Sequence, residues 1–172
     1  MLYLLDFDRT VFDMEQLYRT IDQQNPRATL GTVASLAGID LAGLLFPDAL
    51  AFFATHRPAQ IEIISSCFGL SGQWELAYQT AKVQQSGVDH YVAAVHIVPD
   101  SKVTMIKRLT HTVEHAVYVD DHPEHIKNAV QTIPRVTVVY LDRSGARRQI
   151  AGAQTISSLA ELDAIITPIR NS

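Results

Sequence analysis

The chain has 172 residues, 47% of them hydrophobic: the size of one domain, or one domain with a small insertion, with apolar mass enough for a real core. Its 14 Lys and Arg against 18 Asp and Glu leave a net charge of −4, which excludes any general attraction for nucleic acid or an anionic membrane, and no segment is apolar for long enough to span a bilayer. One cysteine, Cys67, excludes an internal disulfide and fits a reducing compartment; with the N-terminus running straight into a strand and no leader in view, a cytoplasmic protein is expected.

The apolar run Leu2–Leu5 reads as a buried strand and leads into Asp6-Phe7-Asp8-Arg9-Thr10. A polar helix is expected over Glu15 to Gln24, ended by Asn25-Pro26, and another over Thr29 to Ala37, reaching Gly38. Gly43 to Asp48 opens a further helix, Ala49 to His56, which Pro58 stops. Ile61 to Ile64 has strand composition, Gly69 to Gly72 reads as loop, and Gln73 to Gln85 as a helix closed by Gly87. Tyr91 to Val98 reads as a strand ending at Pro99, and Asp100 or Ser101 caps a helix to about Thr110. Ala116 to Val119 is a strand ending on Asp120-Asp121; His122 to Thr132 is a helix, Val136 to Leu141 a strand, and Ser157 or Ser158 opens a last helix over Leu159 to Ile166.

Alternating strands and helices imply a Rossmann-like α/β fold, a parallel sheet with helices on both faces. The interval from Thr10 to Ile61 holds more helix than one crossover needs. Residues 14–45 therefore read as a small helical cap inserted after the first strand, with 1–13 and 46–172 forming the core.

In a parallel sheet the carboxyl ends of the strands share one edge, where ligands bind. The segments that reach this edge carry Asp6 and Asp8, Ser65 and Ser66, Lys102, and Asp120 and Asp121. Two close carboxylates require a cation or a shared proton. The set suits phosphoryl transfer to an aspartate: a carboxylate nucleophile, a second acid to protonate the leaving oxygen, a hard divalent cation, and a hydroxyl, backbone N–H groups and an ammonium for the phosphate oxygens.

Singly, each residue has a plainer explanation. Asp6 and Asp8 alone could form a turn or a cap, Ser65 and Ser66 could satisfy loop backbone, and Asp120 or Asp121 could cap the following helix. Lys107, further along its helix, reads as a solvated lysine. His122, Glu124 and His125 suggest zinc, but the spacing is not a helical i, i+4 pair and hard oxygen donors favour magnesium. His90, His96, His111 and His115 show no ligand spacing. Cys67 reads as a small buried hydrophobe, and Trp74 and Tyr78 as core.

Taken together, these residues resemble the haloacid dehalogenase superfamily of phosphohydrolases, and the likeness runs through the whole chain in order. D-x-D-x-T follows the first strand (Asp6 to Thr10), Ser65 follows the second, Lys102 starts the helix before the fourth, and Asp120-Asp121 follow the fourth. The resemblance implies strand order 3-2-1-4-5. It implies a magnesium-dependent phosphatase acting through an aspartyl-phosphate at Asp6, on a small phosphorylated substrate. It assigns acid–base work and a metal-binding carbonyl to Asp8, loop orientation to Thr10, and phosphate binding to Ser65, the Ser66 N–H and Lys102. Asp121 is the implied direct magnesium ligand and Asp120 the one acting through water. Two departures stand out: His125 occupies a position that is acidic in many relatives, and Ser66 one often held by Asn or Gly. Phosphotransfer to another acceptor, or a non-catalytic phosphate-binding module, are the alternatives; Asp8 disfavours a dehalogenase. Substrate contacts are expected from the cap, with Gln16, Tyr18, Arg19, Gln23 and Arg27 as candidates. The sequence leaves the oligomeric state open.

Overall fold

A computed structural model describes residues 1–67, 73–99 and 101–170. The loop expected at Gly69–Gly72, Asp100 as a cap and the packing of the Trp74 side chain lie outside the described residues. Six strands form one parallel sheet: β1 (Leu2–Leu5), β2 (Ile61–Ser66), β3 (Ala94–Val98), β4 (Ala116–Asp120), β5 (Val136–Leu141) and β6 (Gln154–Ile156), in the order β3-β2-β1-β4-β5-β6. The expected order 3-2-1-4-5 is present and is extended by β6. That strand is short and polar, with only Ile156 of its three residues buried, so no apolar run announces it.

Side chains alternate across β1. Tyr3 and Leu5 join one core with Ile61, Ile63, Val117 and Val119, while Leu2 and Leu4 join another with Ile64, Ala116 and Tyr118. Among the described residues six α-helices cover these two faces: α1 (Met14–Gln24), α2 (Pro47–Thr55), α3 (Gln73–Ser86), α4 (Lys102–Thr110), α5 (Pro123–Thr132) and α6 (Leu162–Arg170). Residues of α1, α2, α3 and α6 pack on the Tyr3 side, and those of α4 and α5 on the Leu4 side. The central strands are therefore apolar on both faces, with the Glu62–His96 pair on β2 and β3 a polar exception, and the acids gather at the strand ends.

Between α1 and α2 the expected helix Thr29 to Ala37 is reduced to a single 3-10 turn, Val33–Leu36. Gly31 adopts a left-handed φ of +79°, and Thr32 is extended, its hydroxyl accepting from the Ser35 N–H. Both conformations stop an α-helix from propagating through this stretch. Within residues 14–45, Met14, Leu17, Ile21, Leu36, Leu41 and Leu45 are buried in the same core as β1. The strand expected from Tyr91 begins only at Ala94, because Val88–His90 form a 3-10 turn before it.

A long-range clamp holds the loop that follows β1. Arg143, after β5, donates to the carbonyls of Arg9 (3.0 Å) and Thr10 (2.6 Å) and makes a paired contact with both oxygens of Asp48 (3.0 Å each). Its guanidinium carbon lies 3.8 Å from the centroid of the Phe46 ring. Asp48 also accepts from the Ser158 hydroxyl and the Leu159 N–H, both at 2.8 Å. Burial alone would raise the Asp48 pKa; Arg143, Ser158 and Leu159 outweigh it and hold the carboxyl below its ordinary value. A carboxylate with a depressed folded pKa stabilises the fold above the unfolded value, and that contribution fades as pH falls through the lower folded value. We expect Asp48→Asn to cost about 1–3 kcal/mol at pH 7 in urea unfolding. The loss should shrink below the ordinary carboxyl pKa of 3.8. Equal losses at neutral and strongly acid pH would contradict this account.

Candidate active site

The site lies at the carboxyl end of β1, where the strand order reverses between β1 and β4. Asp6 continues β1, its N–H donating to the Val119 carbonyl at 2.9 Å. The chain then turns sharply: the N–H groups of Val11 and Phe12 both donate to the Phe7 carbonyl, and Arg9 takes a φ of 59°. A side chain with positive φ is uncommon and costs free energy, and here Arg143 holds the turn from outside. Phe7 is fully buried and stacks on Phe12, leaving Asp6 and Asp8 on the cavity wall.

Lys102, the first residue of α4, reaches into this edge and is 4% exposed. Its Nζ donates to Asp6 Oδ1 at 2.5 Å and to Asp120 Oδ2 at 2.7 Å. Burial lowers the lysine's pKa, but the two carboxylates outweigh it and hold the ammonium above its ordinary range. Asp120, the last residue of β4, also accepts from the Tyr118 hydroxyl and the His122 N–H (2.7 Å) and faces His125 Nδ1 at 3.1 Å. Burial would raise its pKa; Lys102 and His125 bring it below the usual carboxylate range. Asp6 goes the other way, pushed well up by burial, against the pull of Lys102 and with the push of Asp120, Asp121 and Asp8.

Carboxylate oxygens of Asp6, Asp120 and Asp121 lie within 4.8 Å of one another. Hard, anionic and all oxygen, this donor set fits a hard divalent cation such as magnesium. Among the described residues no histidine joins the cluster; His125 is turned onto Asp120. The zinc arrangement considered for His122 and His125 thus gains no support from the geometry.

The adjoining cavity, about 740 Å³, is lined by Ser66, Ser101 and residues of the β4–α5 turn and α5, besides the carboxylates and Lys102. Ser66 is on the wall. Ser65 is 1% exposed and its hydroxyl accepts from Gln79 Nε2 at 2.7 Å, so strand alternation separates the two serines. The Thr10 hydroxyl is buried with no hydrogen-bond partner among the described residues, and it is the Thr10 carbonyl that is held, by Arg143. Gln16, Tyr18, Arg19, Gln23 and Arg27 do not line the cavity, and only Tyr18 among them is half-buried. Burial raises the Tyr18 pKa, and the Asp8 charge adds to it. Lys107 is exposed, Tyr78 is core, and Cys67 is buried with its thiol directed to the Val98 carbonyl.

Sequence reasoning missed four residues. Arg143 and Asp48 hold the loop, and Gln79 and Lys82 on α3 hold Asp8. For the α3 pair a signal was present: Gln79, Lys82 and Ser86 occupy the buried stripe that Tyr78 and Val83 mark as inward-facing.

No protein-family model matches the sequence, and neither does any curated protein. Solved structures do. A structure described as a haloacid dehalogenase-like hydrolase, from Burkholderia xenovorans LB400, is 17% identical, with a TM-score of 0.68 over 95% of each chain. A haloacid dehalogenase-like family hydrolase from Xanthomonas campestris is 13% identical, with a TM-score of 0.61 over 98% of this chain and 95% of that one. The chain has the haloacid dehalogenase-like fold, end to end.

Crowding of the carboxylates has a measurable cost. Burial, and then the charge of Asp120, push the Asp121 pKa up to about 6. For an acid the sign is a penalty: absent below the ordinary value of 3.8, accumulating to about 6, and fully present above. With chelator at pH 7, Asp121→Asn should therefore raise unfolding stability by about 1–2 kcal/mol, and the gain should vanish below about pH 4. A destabilised variant at pH 7 would show that Asp121 is satisfied by the fold alone.

Proposed function

We propose that the chain is a magnesium-dependent phosphatase that hydrolyses small phosphate monoesters through an aspartyl-phosphate at Asp6. The observation that carries this reading is the Asp6–Lys102–Asp120 contact with Asp121 beside it, while Asp8 stands on the same cavity wall outside that cluster. The two structures named above are described as hydrolases, which supports the reaction class.

Asp6 attacks phosphorus with a carboxylate oxygen as the bond to the leaving oxygen breaks. Asp8 gives its proton to that leaving oxygen. Water then attacks the phosphorus of the aspartyl-phosphate, Asp8 takes the water's proton, and inorganic phosphate departs from the regenerated Asp6. Lys102 fixes the Asp6 carboxylate and sets positive charge beside the phosphate oxygens. Ser66 lines the cavity from the end of β2 and binds the phosphate there, with Ser65 buried behind it. Asp6, the Asp8 carbonyl and Asp121 would hold magnesium directly, with Asp120 acting through water because its oxygens already accept from Lys102, Tyr118 and His122. Bound there, the ion would offset the repulsion between Asp6 and the phosphate.

Residues 14–45 act as a partial cap in this reading. None of them lines the cavity, so closure is incomplete and small esters of varied structure are accepted. Asp6→Asn should abolish phosphate release while the fold persists by circular dichroism. Asp8→Asn should lower turnover roughly 10²–10⁴-fold, and less for leaving groups that need no proton. Chelator should stop release from an aryl phosphate and magnesium should restore it. Recovery with zinc but not magnesium would overturn the metal assignment, and no metal-dependent release from any of a panel of phosphate esters would favour a non-catalytic phosphate-binding module.

A further inference from the structure

Lys82 is an ammonium in an unusual place. It lies mid-way along α3, is 1% exposed, and sits 5.1 Å, 5.7 Å and 5.8 Å from the ring centroids of Tyr78, Phe7 and Phe12. Its Nζ contacts Met14 Sδ at 3.1 Å and Asp8 Oδ1 at 2.6 Å. Aromatic faces and a thioether solvate a cation far less well than water, so a Met or Leu would suit this box better if packing were the only demand. Asp8 is the one carboxylate that compensates Lys82 by direct contact among the described residues. One turn earlier on the same face, Gln79 donates to Asp8 Oδ2 at 2.9 Å and to Ser65 Oγ at 2.7 Å. Both Asp8 oxygens are therefore held from α3, and the amide that holds one of them is anchored on β2.

We propose that Lys82 and Gln79 are the positioning pair of Asp8: they hold its carboxyl group at the cavity wall, apart from the Asp6, Asp120 and Asp121 cluster, in the orientation that proton transfer requires, both when Asp8 is protonated to serve the leaving oxygen and when it is ionised to serve the attacking water. The inference rests on the acid–base reading of Asp8 given above. A carboxylate two residues from Asp6 is drawn to any cation bound by that cluster, and a side chain that turned there would no longer serve the leaving group. Two contacts from a rigid helix prevent this rotation, as positioning of a reacting group demands. Neither residue touches the reacting atoms in this arrangement, so each acts through Asp8.

The test uses the full chain with magnesium and two substrates, an alkyl phosphate whose leaving group needs a proton and an aryl phosphate whose leaving group does not. Lys82→Met fills the same box without charge. It should lower kcat for the alkyl ester on the order of 10–10²-fold, change the aryl ester less than about threefold, and leave KM nearly unchanged. In an Asp8→Asn background the same substitution should have no further effect, because the two act as a unit. Gln79→Leu should show the same selectivity at smaller size, and it decides the question should Lys82→Met fail to fold. Equal losses on both substrates, or losses that add to those of Asp8→Asn, would overturn the positioning role and leave Lys82 a structural charge. If Asp8→Asn itself showed no dependence on the leaving group, the acid–base reading would fall, and this inference with it. A dependence in Asp8→Asn that is missing from both α3 variants would overturn this inference alone.

Discussion

The structure turns on one buried ammonium. Lys102 stands at the start of α4, where the helix dipole disfavours a cation, and in a place with little water to solvate it. The carboxylates of Asp6 and Asp120 hold it there, and it in turn lets two acids from neighbouring strands share one corner of the sheet. Their bond joins the ends of β1 and β4, at the point where the order of strands reverses. With Asp6, Asp120 and Asp121 all ionised, Lys102 is, among the described residues, the one ammonium in direct contact with this cluster of three carboxylates, and Arg9 acts on Asp121 only from across the cavity. Lys82 is spent separately on Asp8. Two lysines thus divide the acids into a cluster that retains a deficit and a single carboxylate that does not.

Around that corner the supports come from distant parts of the chain. The turn after β1 has a residue with positive φ, Arg9, and a buried hydroxyl, that of Thr10, without a partner among the described residues, and neither is a sign of a loop at rest. Arg143 supplies what the loop lacks by gripping its carbonyls, and Asp48 and Phe46 keep Arg143 in place. Asp8 is gripped from α3, Asp6 from α4, and Asp120 by Tyr118 beneath it and the His122 and His125 turn above. Asp6, Asp8 and Asp120 are thus each held from a regular element, which is how a site keeps its geometry without a ligand.

How much of this could be read beforehand depended on whether the signal was local. Leu2–Leu5, Ala116–Val119 and Val136–Leu141 are apolar runs, and an apolar run in a two-faced parallel sheet announces itself. The acids at the strand ends are legible because they interrupt such runs. β6 has no run to interrupt, and the turn at Val33–Leu36 was decided by the backbone of Gly31 and Thr32 against a helix-like composition. Asp48 and Arg143 look like ordinary surface residues in one dimension, since their partners lie tens of residues away, whereas Gln79 and Lys82 at least stand on the inward-facing stripe of α3. Ser65 and Ser66 illustrate a finer limit: two adjacent hydroxyls at a strand end are equivalent on paper, and only the phase of the pleat puts Ser66 on the cavity and Ser65 on Gln79.

The Arg143 clamp also sets an order in time. The acids of the first loop are made well before Arg143, which grips that loop, and before Ser158 and Leu159, which hold Asp48; all three lie more than a hundred residues beyond the residues they fasten or steady. A chain made only as far as Asp121 already carries every carboxylate of the cluster, but the turn after β1 still lacks Arg143. The native geometry of the first loop therefore depends on residues that lie beyond β5, far along the chain from the acids they help to aim.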